Sequence, residues 1–243
     1  MAFRFRVIPF VATVALVVLG VLLGNWQTRR AEEKLAVAAR IVERGAQAPV
    51  VLGSGGDPTV RGGLDIAYRR VRLTGEWVAS WPLFLENRPL NGRAGFVLAM
   101  PFKIAASNQH VLVLRGWLPR DAREYGKVPD FATPTGTVTI EGVATPGAGN
   151  VMQLGTPGAL TPGALVQNLT TGAVAAASGL ALYPFFVQQA GAGQGEGLVR
   201  EWPAPGTGVD KHRGYAFQWY ALAAMAALFF VMTGFRSGRK QGA

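Results

Sequence analysis

The chain contains no cysteine and only two histidines, His110 and His212. Without thiols there are no disulfides, iron–sulfur ligands, thiolate metal sites or cysteine nucleophiles. Two histidines are too few for a multi-histidine metal centre. Charge is also scarce: 16% of the 243 residues are Asp, Glu, Lys or Arg, against roughly 25% in soluble proteins. With 49% hydrophobic content, intrinsic disorder is not expected. At roughly 150 residues per domain, the length allows one or two domains.

Acids are missing from both ends. All 14 lie between Glu32 and Asp210, although the net charge is +10. Outside the interval Thr28 to Lys211 stand six bases, Arg4, Arg6, Arg213, Arg236, Arg239 and Lys240, with no acid among them. Inside it, 18 bases face 14 acids. The excess therefore sits beside the most apolar segments. That is the pattern of membrane flanks, and no nucleic-acid partner is expected.

Val7 to Trp26 is 20 residues without a charge. At 1.5 Å per residue it spans about 30 Å, one hydrocarbon core. The run is long for a secretory signal, and no small-x-small cleavage site follows Gly24, so an uncleaved anchor is expected. Tyr215 to Phe235 is a second uncharged run of 21 residues. Tyr215, Trp219 and Tyr220 stand at its start like an aromatic belt, and Arg236, Arg239 and Lys240 stop it. Gly172 to Val187 is also uncharged, but Gly179 and Pro184 interrupt it and it is too short to cross lipid. There Thr171 is placed to cap a short helix ending at Gly179, with a buried strand from Tyr183 to Gln189.

These spans divide the chain into cytoplasmic tails at 1–6 and 236–243, transmembrane helices at 7–26 and 215–235, and an extracytoplasmic domain at 27–214. Two spans place both tails on one side. Basic residues flank both ends of each span almost equally, so the positive-inside count is nearly a tie, and the tails point only weakly to the cytoplasm. Gly20-Val-Leu-Leu-Gly24, with Ala223 and Ala227, would let the two helices pair closely; ordinary small residues in apolar helices would read the same.

Thr28 to Arg44 keeps helical spacing, with Leu35, Ala38, Ala39 and Val42 on one face. It is expected to extend the first span. Pro49 to Gly63, rich in glycine and proline, reads as a linker. Strands are then expected at Tyr68–Thr74, Leu83–Asn87, Gly95–Ile104, His110–Trp117, Thr137–Val143 and Leu198–Trp202. Asn91-Gly92 and Thr135-Gly136 mark turns. The fold expected is a membrane-anchored α+β protein. Two transmembrane helices, N- and C-terminal, would flank a mainly β domain that is a sandwich or barrel-like.

No catalytic constellation appears, and an enzyme is not expected. Glu76, Glu86, Asp121, Glu124, Asp130 and Glu141 are scattered near arginines and read as solvated ion-pair partners. Gly53-Ser-Gly-Gly lacks the strand–turn–helix setting of a nucleophile elbow. Gly191-Ala-Gly-Gln-Gly-Glu-Gly reads as a loose connection, and His110 as a half-exposed strand residue. The remaining candidate is Lys211-His212-Arg213 at the mouth of the second span. A neutral imidazole ligates haem iron, and cations pair with propionates. On a helix His212, Tyr215 and Trp219 share one face at i, i+3 and i+7. A juxtamembrane basic cluster on lipid headgroups has the same composition.

Five motifs in order resemble the Surfeit locus protein one family of cytochrome oxidase assembly factors. They are Leu23-Gly-Asn-Trp-Gln-Thr-Arg-Arg-Ala-Glu-Glu-Lys34, Tyr68-Arg-Arg-Val-Arg-Leu-Thr-Gly75, Val111-Leu-Val-Leu-Arg-Gly-Trp-Leu-Pro119, Tyr183-Pro-Phe-Phe-Val187 and Lys211-His-Arg-Gly-Tyr-Ala-Phe-Gln-Trp-Tyr-Ala-Leu222. Leu114, Lys211 and Arg213 depart from the family's usual asparagine, asparagine and leucine, and the last two make the site more basic.

The resemblance implies a haem–copper cytochrome c oxidase assembly factor that binds haem A as transient cargo and assists its delivery to the catalytic subunit. His212 would match the iron-ligating histidine, with Arg213, Tyr215 and Trp219 around the ring. Oxidase subunit I, haem A synthase and the lipid bilayer would be the partners. The setting would be a bacterial inner membrane, with the main domain periplasmic. A haem-free scaffold that stabilises oxidase assembly intermediates is the alternative.

Overall fold

A computed structural model describes residues 3, 5–53, 66–121, 124, 126–153, 155, 158–192, 195–203 and 208–239. Arg4, Lys240, most of the expected linker, the Ser-Gly-Gly of the serine-containing loop, Thr156-Pro157 and Gly193-Gln194 lie outside them. Two compact units result: Met1–Ala39 with Ala204–Ala243, and Arg40–Pro203.

The first unit is a helix pair. Helix α1 runs unbroken from Val7 to Ala46, and a second long helix from Val209 to Arg239. Both are long and apolar enough to cross a membrane. They pack antiparallel: Gly20 meets Ala223, Gly24 meets Tyr220, and Phe3 meets Phe230. Among the buried and half-buried positions of α1, Thr13, Val17, Gly20, Gly24, Gln27, Ala31 and Lys34 form one row. On the second helix His212, Ala216, Trp219, Ala223, Ala226, Phe230 and Thr233 form another. Steps of four and three alternate along both rows, the spacing that keeps one seam against a partner helix.

Glycine is required at the closest approach. A Cβ at Gly20 would lie 2.9 Å from the Ala223 Cβ, and one at Gly24 would lie 2.5 Å from the Tyr220 ring. The glycine pair is thus the crossing point. Its counterpart is Ala216 with Ala223; Ala227, expected in that role, is exposed.

The second unit is an eight-stranded sheet folded around a closed barrel. Its strands are β1 (Val50–Leu52), β2 (Arg70–Trp77), β3 (Leu83–Leu85), β4 (Gly95–Ile104), β5 (His110–Pro119), β6 (Val138–Thr145), β7 (Leu165–Val166) and β8 (Leu182–Gln189). Five strands close in the order β2-β6-β8-β5-β4, with β4 returning to β2 through Gly75↔Ile104 to Trp77↔Phe102. All these pairings are antiparallel except β5–β8. Helix α2 (Thr171–Ser178) follows β7, and the long C-terminal helix is α3.

Alternation places Val71 and Leu73 of β2 inside and Arg70 and Arg72 outside, where Arg72 pairs with Glu141 across the β2–β6 ladder. The barrel interior collects Val71, Leu73, Phe102, Ile104, Val111, Val113, Ile140, Phe185 and Val187. Strands β4 and β5 are covered on both faces. Outside the barrel Val97, Leu112 and Leu114 pack under Leu169 and Val174, while Phe84, Phe96 and Leu98 pack under Leu198 and Phe131.

Four local expectations are corrected. Strand β1 lies inside the predicted linker and is held by parallel pairing to β2. Leu198–Trp202 makes a single bridge, Trp117↔Val199, and no strand. Thr170, not Thr171, caps α2: its hydroxyl accepts from the Ala173 amide. His110 is buried, 8% exposed, because its amide donates to Ala181 and β8 covers that end of β5.

Candidate functional site

The seam of the helix pair changes character toward the ends of its two rows. Through Gly20, Gly24, Ala216 and Ala223 it is small and apolar. Beyond Gly24 it turns polar. The Tyr220 hydroxyl donates to Asn25 Oδ1 at 2.8 Å and lies 3.4 Å from the Thr28 hydroxyl. Thr28 in turn donates to the Gly24 carbonyl at 3.0 Å. His212 Nδ1 lies 2.7 Å from Gln27 Oε1. Three and four residues separate Gly24, Gln27 and Ala31, so Gln27 lies on the same stripe as the crossing glycines.

An amide oxygen only accepts, so the hydrogen of this contact belongs to His212 Nδ1. In the neutral ring the lone pair is then on Nε2, which has no hydrogen-bond partner among the described residues. That is the electronic state of a metal-ligating imidazole. The ring is half-buried in the seam.

Trp219 stands two turns along α3 from His212 and opens an apolar groove between the helices. Leu16, Leu19, Gly20, Leu222, Met225, Phe229 and Met232 continue its lining, and its volume is about 610 Å³. This is within the range of small-molecule and cofactor sites. Lys211 and Arg213 are exposed on either side of His212, and Tyr215 is 52% exposed. His212 and Trp219 thus share the seam face, and Tyr215 is on its flank. The donor types suit a haem: one free imidazole nitrogen, an aromatic ring at the head of an apolar groove, and two exposed cations for propionates. Among the described residues no three His, Asp or Glu side chains cluster as a metal site.

The barrel carries a second polar cluster, which explains its Arg-Gly-Trp stretch. At the Leu98/Ala99 register shift Arg115 is the extra residue of a β-bulge, between Leu114, paired to Ala99, and Gly116, paired to Leu98. The Arg115 side chain is fully buried. Its guanidinium stacks 4.4 Å from the Trp77 ring and donates to Thr133 Oγ1, the Ala132 carbonyl and Glu196 Oε2.

The same Glu196 oxygen accepts from Arg200 at 2.6 Å. Burial pushes the Glu196 carboxyl up, but the hydrogen bonds from Arg200 and Arg115, with their charges, outweigh it and hold it below the ordinary range. Burial lowers the Arg115 pKa despite Glu196. Gly116 is needed because a Cβ there would lie 2.9 Å from the Leu198 Cβ. Trp117 then bridges to Val199 and donates Nε1 to the Arg88 carbonyl at 2.7 Å.

Sequence reasoning missed both Gln27 and Glu196. The alternating three–four spacing of Gly20, Gly24, Gln27 and Ala31 puts Gln27 on the seam face, but nothing within that segment names His212 as its partner. Glu196 lies in a glycine-rich run, and nothing local sets it apart.

Comparison with known proteins adds the family. Over 107 residues the chain is 30% identical to the cytochrome oxidase assembly protein SHY1 of Saccharomyces cerevisiae. The match covers 44% of this chain and 27% of the yeast protein's length. The model of the SURF1 family matches residues 14–224, an interval that contains the crossing glycines, Gln27, the whole barrel, His212 and Trp219. The chain belongs to the SURF1 family.

Proposed function

We propose that this protein is a membrane-anchored assembly factor for cytochrome c oxidase that binds haem A and assists its delivery to the catalytic subunit. Family membership and the assembly role that the yeast relative's name carries support the assembly part. The observation that carries the haem part is His212: an imidazole with Nδ1 engaged and Nε2 free, two helical turns from Trp219, where an apolar groove begins. Haem would supply the iron for an imidazole to ligate. His212 Nε2 would hold it, Arg213 and Lys211 would meet propionates, and Trp219 and Tyr215 would line the macrocycle. One protein ligand leaves few bonds to break on release, which suits a carrier.

In this reading α1 and α3 cross a bacterial inner membrane, both tails face the cytoplasm, and the barrel faces the periplasm. Haem A synthase would donate the cargo and oxidase subunit I would receive it. The role is carriage, not catalysis.

The test is the haem content of assembled oxidase in cells that carry the wild-type chain, His212→Ala or no chain. Delivery predicts that His212→Ala loses haem A from the oxidase as the deletion does, with the variant present at normal level in membranes. Wild-type oxidase with His212→Ala would refute delivery through this residue and leave the haem-free scaffold.

A further inference from the structure

We infer that Gln27 is a positioning residue that sets the tautomer of His212 and so decides which ring nitrogen meets a ligand. This rests on the haem reading above and deepens it. Gln27 Oε1 lies 2.7 Å from His212 Nδ1 and can only accept, so it fixes the hydrogen on Nδ1. An unconstrained imidazole in water prefers the hydrogen on Nε2, which would block that nitrogen as a donor of its lone pair. Gln27 reverses this preference before any cargo arrives. Metal-ligating histidines commonly hand their second N–H to a carbonyl or carboxylate for this reason.

Two features make the contact a property of the paired helices rather than of either alone. Gln27 and His212 are 185 residues apart in sequence. The Tyr220–Asn25 hydrogen bond and the Gly24 crossing fix the register that brings them together. The readiness of the ligand nitrogen is therefore coupled to closure of the seam. The partner is also a neutral amide. A carboxylate would raise ring basicity and hold iron more firmly, whereas an amide orients the ring and leaves a weaker ligand.

The readout that needs no haem is ¹⁵N NMR of the full chain in detergent with labelled imidazoles. Only two histidines are present, and His212→Ala assigns the signals. The neutral wild-type His212 ring is expected as the Nδ1–H tautomer. Gln27→Ala is expected to move it toward Nε2–H, and Gln27→Glu, which keeps an acceptor, to restore Nδ1–H. An Nε2–H ring in the wild type, or a tautomer unchanged in Gln27→Ala, overturns the inference.

Titration with haem A reads the consequence. Gln27→Ala should bind about 10-fold more weakly or worse. Equal affinity of Gln27→Ala and wild type overturns the positioning role. No binding by the wild type, with the Nδ1–H tautomer present, overturns the haem reading and leaves the tautomer assignment standing.

Discussion

Removing the Glu196 carboxylate should destabilise the barrel more than its loop position suggests. Arg115 has no exposed side-chain surface, and Arg200 retains 5%. Both donate at 2.6 Å to one Glu196 oxygen. In Glu196→Ala two guanidinium groups face each other without an anion between them. Breaking a buried pair by deleting one partner costs about 3–5 kcal/mol.

Glu196 itself is 17% exposed, so water can partly replace the carboxylate. Arg115 also keeps Thr133, the Ala132 carbonyl and Trp77. The expected loss is therefore at the lower end, about 3 kcal/mol. For a unit of this size each kcal/mol lowers Tm by about 2–4 °C, so Tm should fall by about 6–12 °C. Glu196→Gln keeps an acceptor and should lose about half as much, because hydrogen bonds to charged groups are roughly twice as strong as neutral ones. Thermal unfolding of the full chain in detergent, followed by near-UV circular dichroism, measures this. A fall below about 1 °C in Glu196→Ala would refute the assignment of Glu196 as the counter-charge of Arg115.

The acid dependence follows from the same group. The Glu196 pKa is depressed in the folded state. Its stabilisation is complete above the ordinary glutamate pKa of about 4.3, shrinks below it, and is lost once pH falls through the folded-state value. Tm of the wild type should therefore drop more steeply than that of Glu196→Gln as pH is lowered below 4.3. Thr170→Ala should cost about 1 kcal/mol through loss of the α2 cap, and Thr171→Ala should be near neutral; urea unfolding of the two variants distinguishes them. Gly20→Leu, whose Cβ alone would meet the Ala223 Cβ and the Trp219 carbonyl at 2.9 Å, should lower the thermal stability of the helix pair in detergent, followed by far-UV circular dichroism; an unchanged transition would refute Gly20 as the crossing point.

The strands that sequence reveals are those with one covered face or a long run. Alternation in Arg70-Val-Arg-Leu73 and the apolar length of Gly95–Ile104 needed no partner to be legible. Closure of the barrel was not legible, because it depends on register between β2 and β4, which no local pattern encodes. Strands β1 and β7 have three and two residues and exist only through their parallel partners. The Thr170–Thr171 ambiguity is a one-residue shift between equivalent caps.

His110 opens a strand and reads as half-exposed until β8 is laid beside it. At the candidate site, the helix face of His212 and Trp219 was legible from spacing within one segment. Gln27 was not, because its role arises only when the first and last helices pair. Glu196 was hidden for a related reason: Arg115 is bulged out of its ladder to reach it, and a bulge has no signature in Val-Leu-Arg-Gly-Trp.

The most direct test of the account is the absorption spectrum of the full chain purified from membranes after co-production with haem A synthase, wild type beside His212→Ala. The account predicts a haem A spectrum in the wild type that is lost in the variant, with both chains giving the same barrel unfolding transition. A wild type without haem, or a variant that retains it, would contradict the central claim.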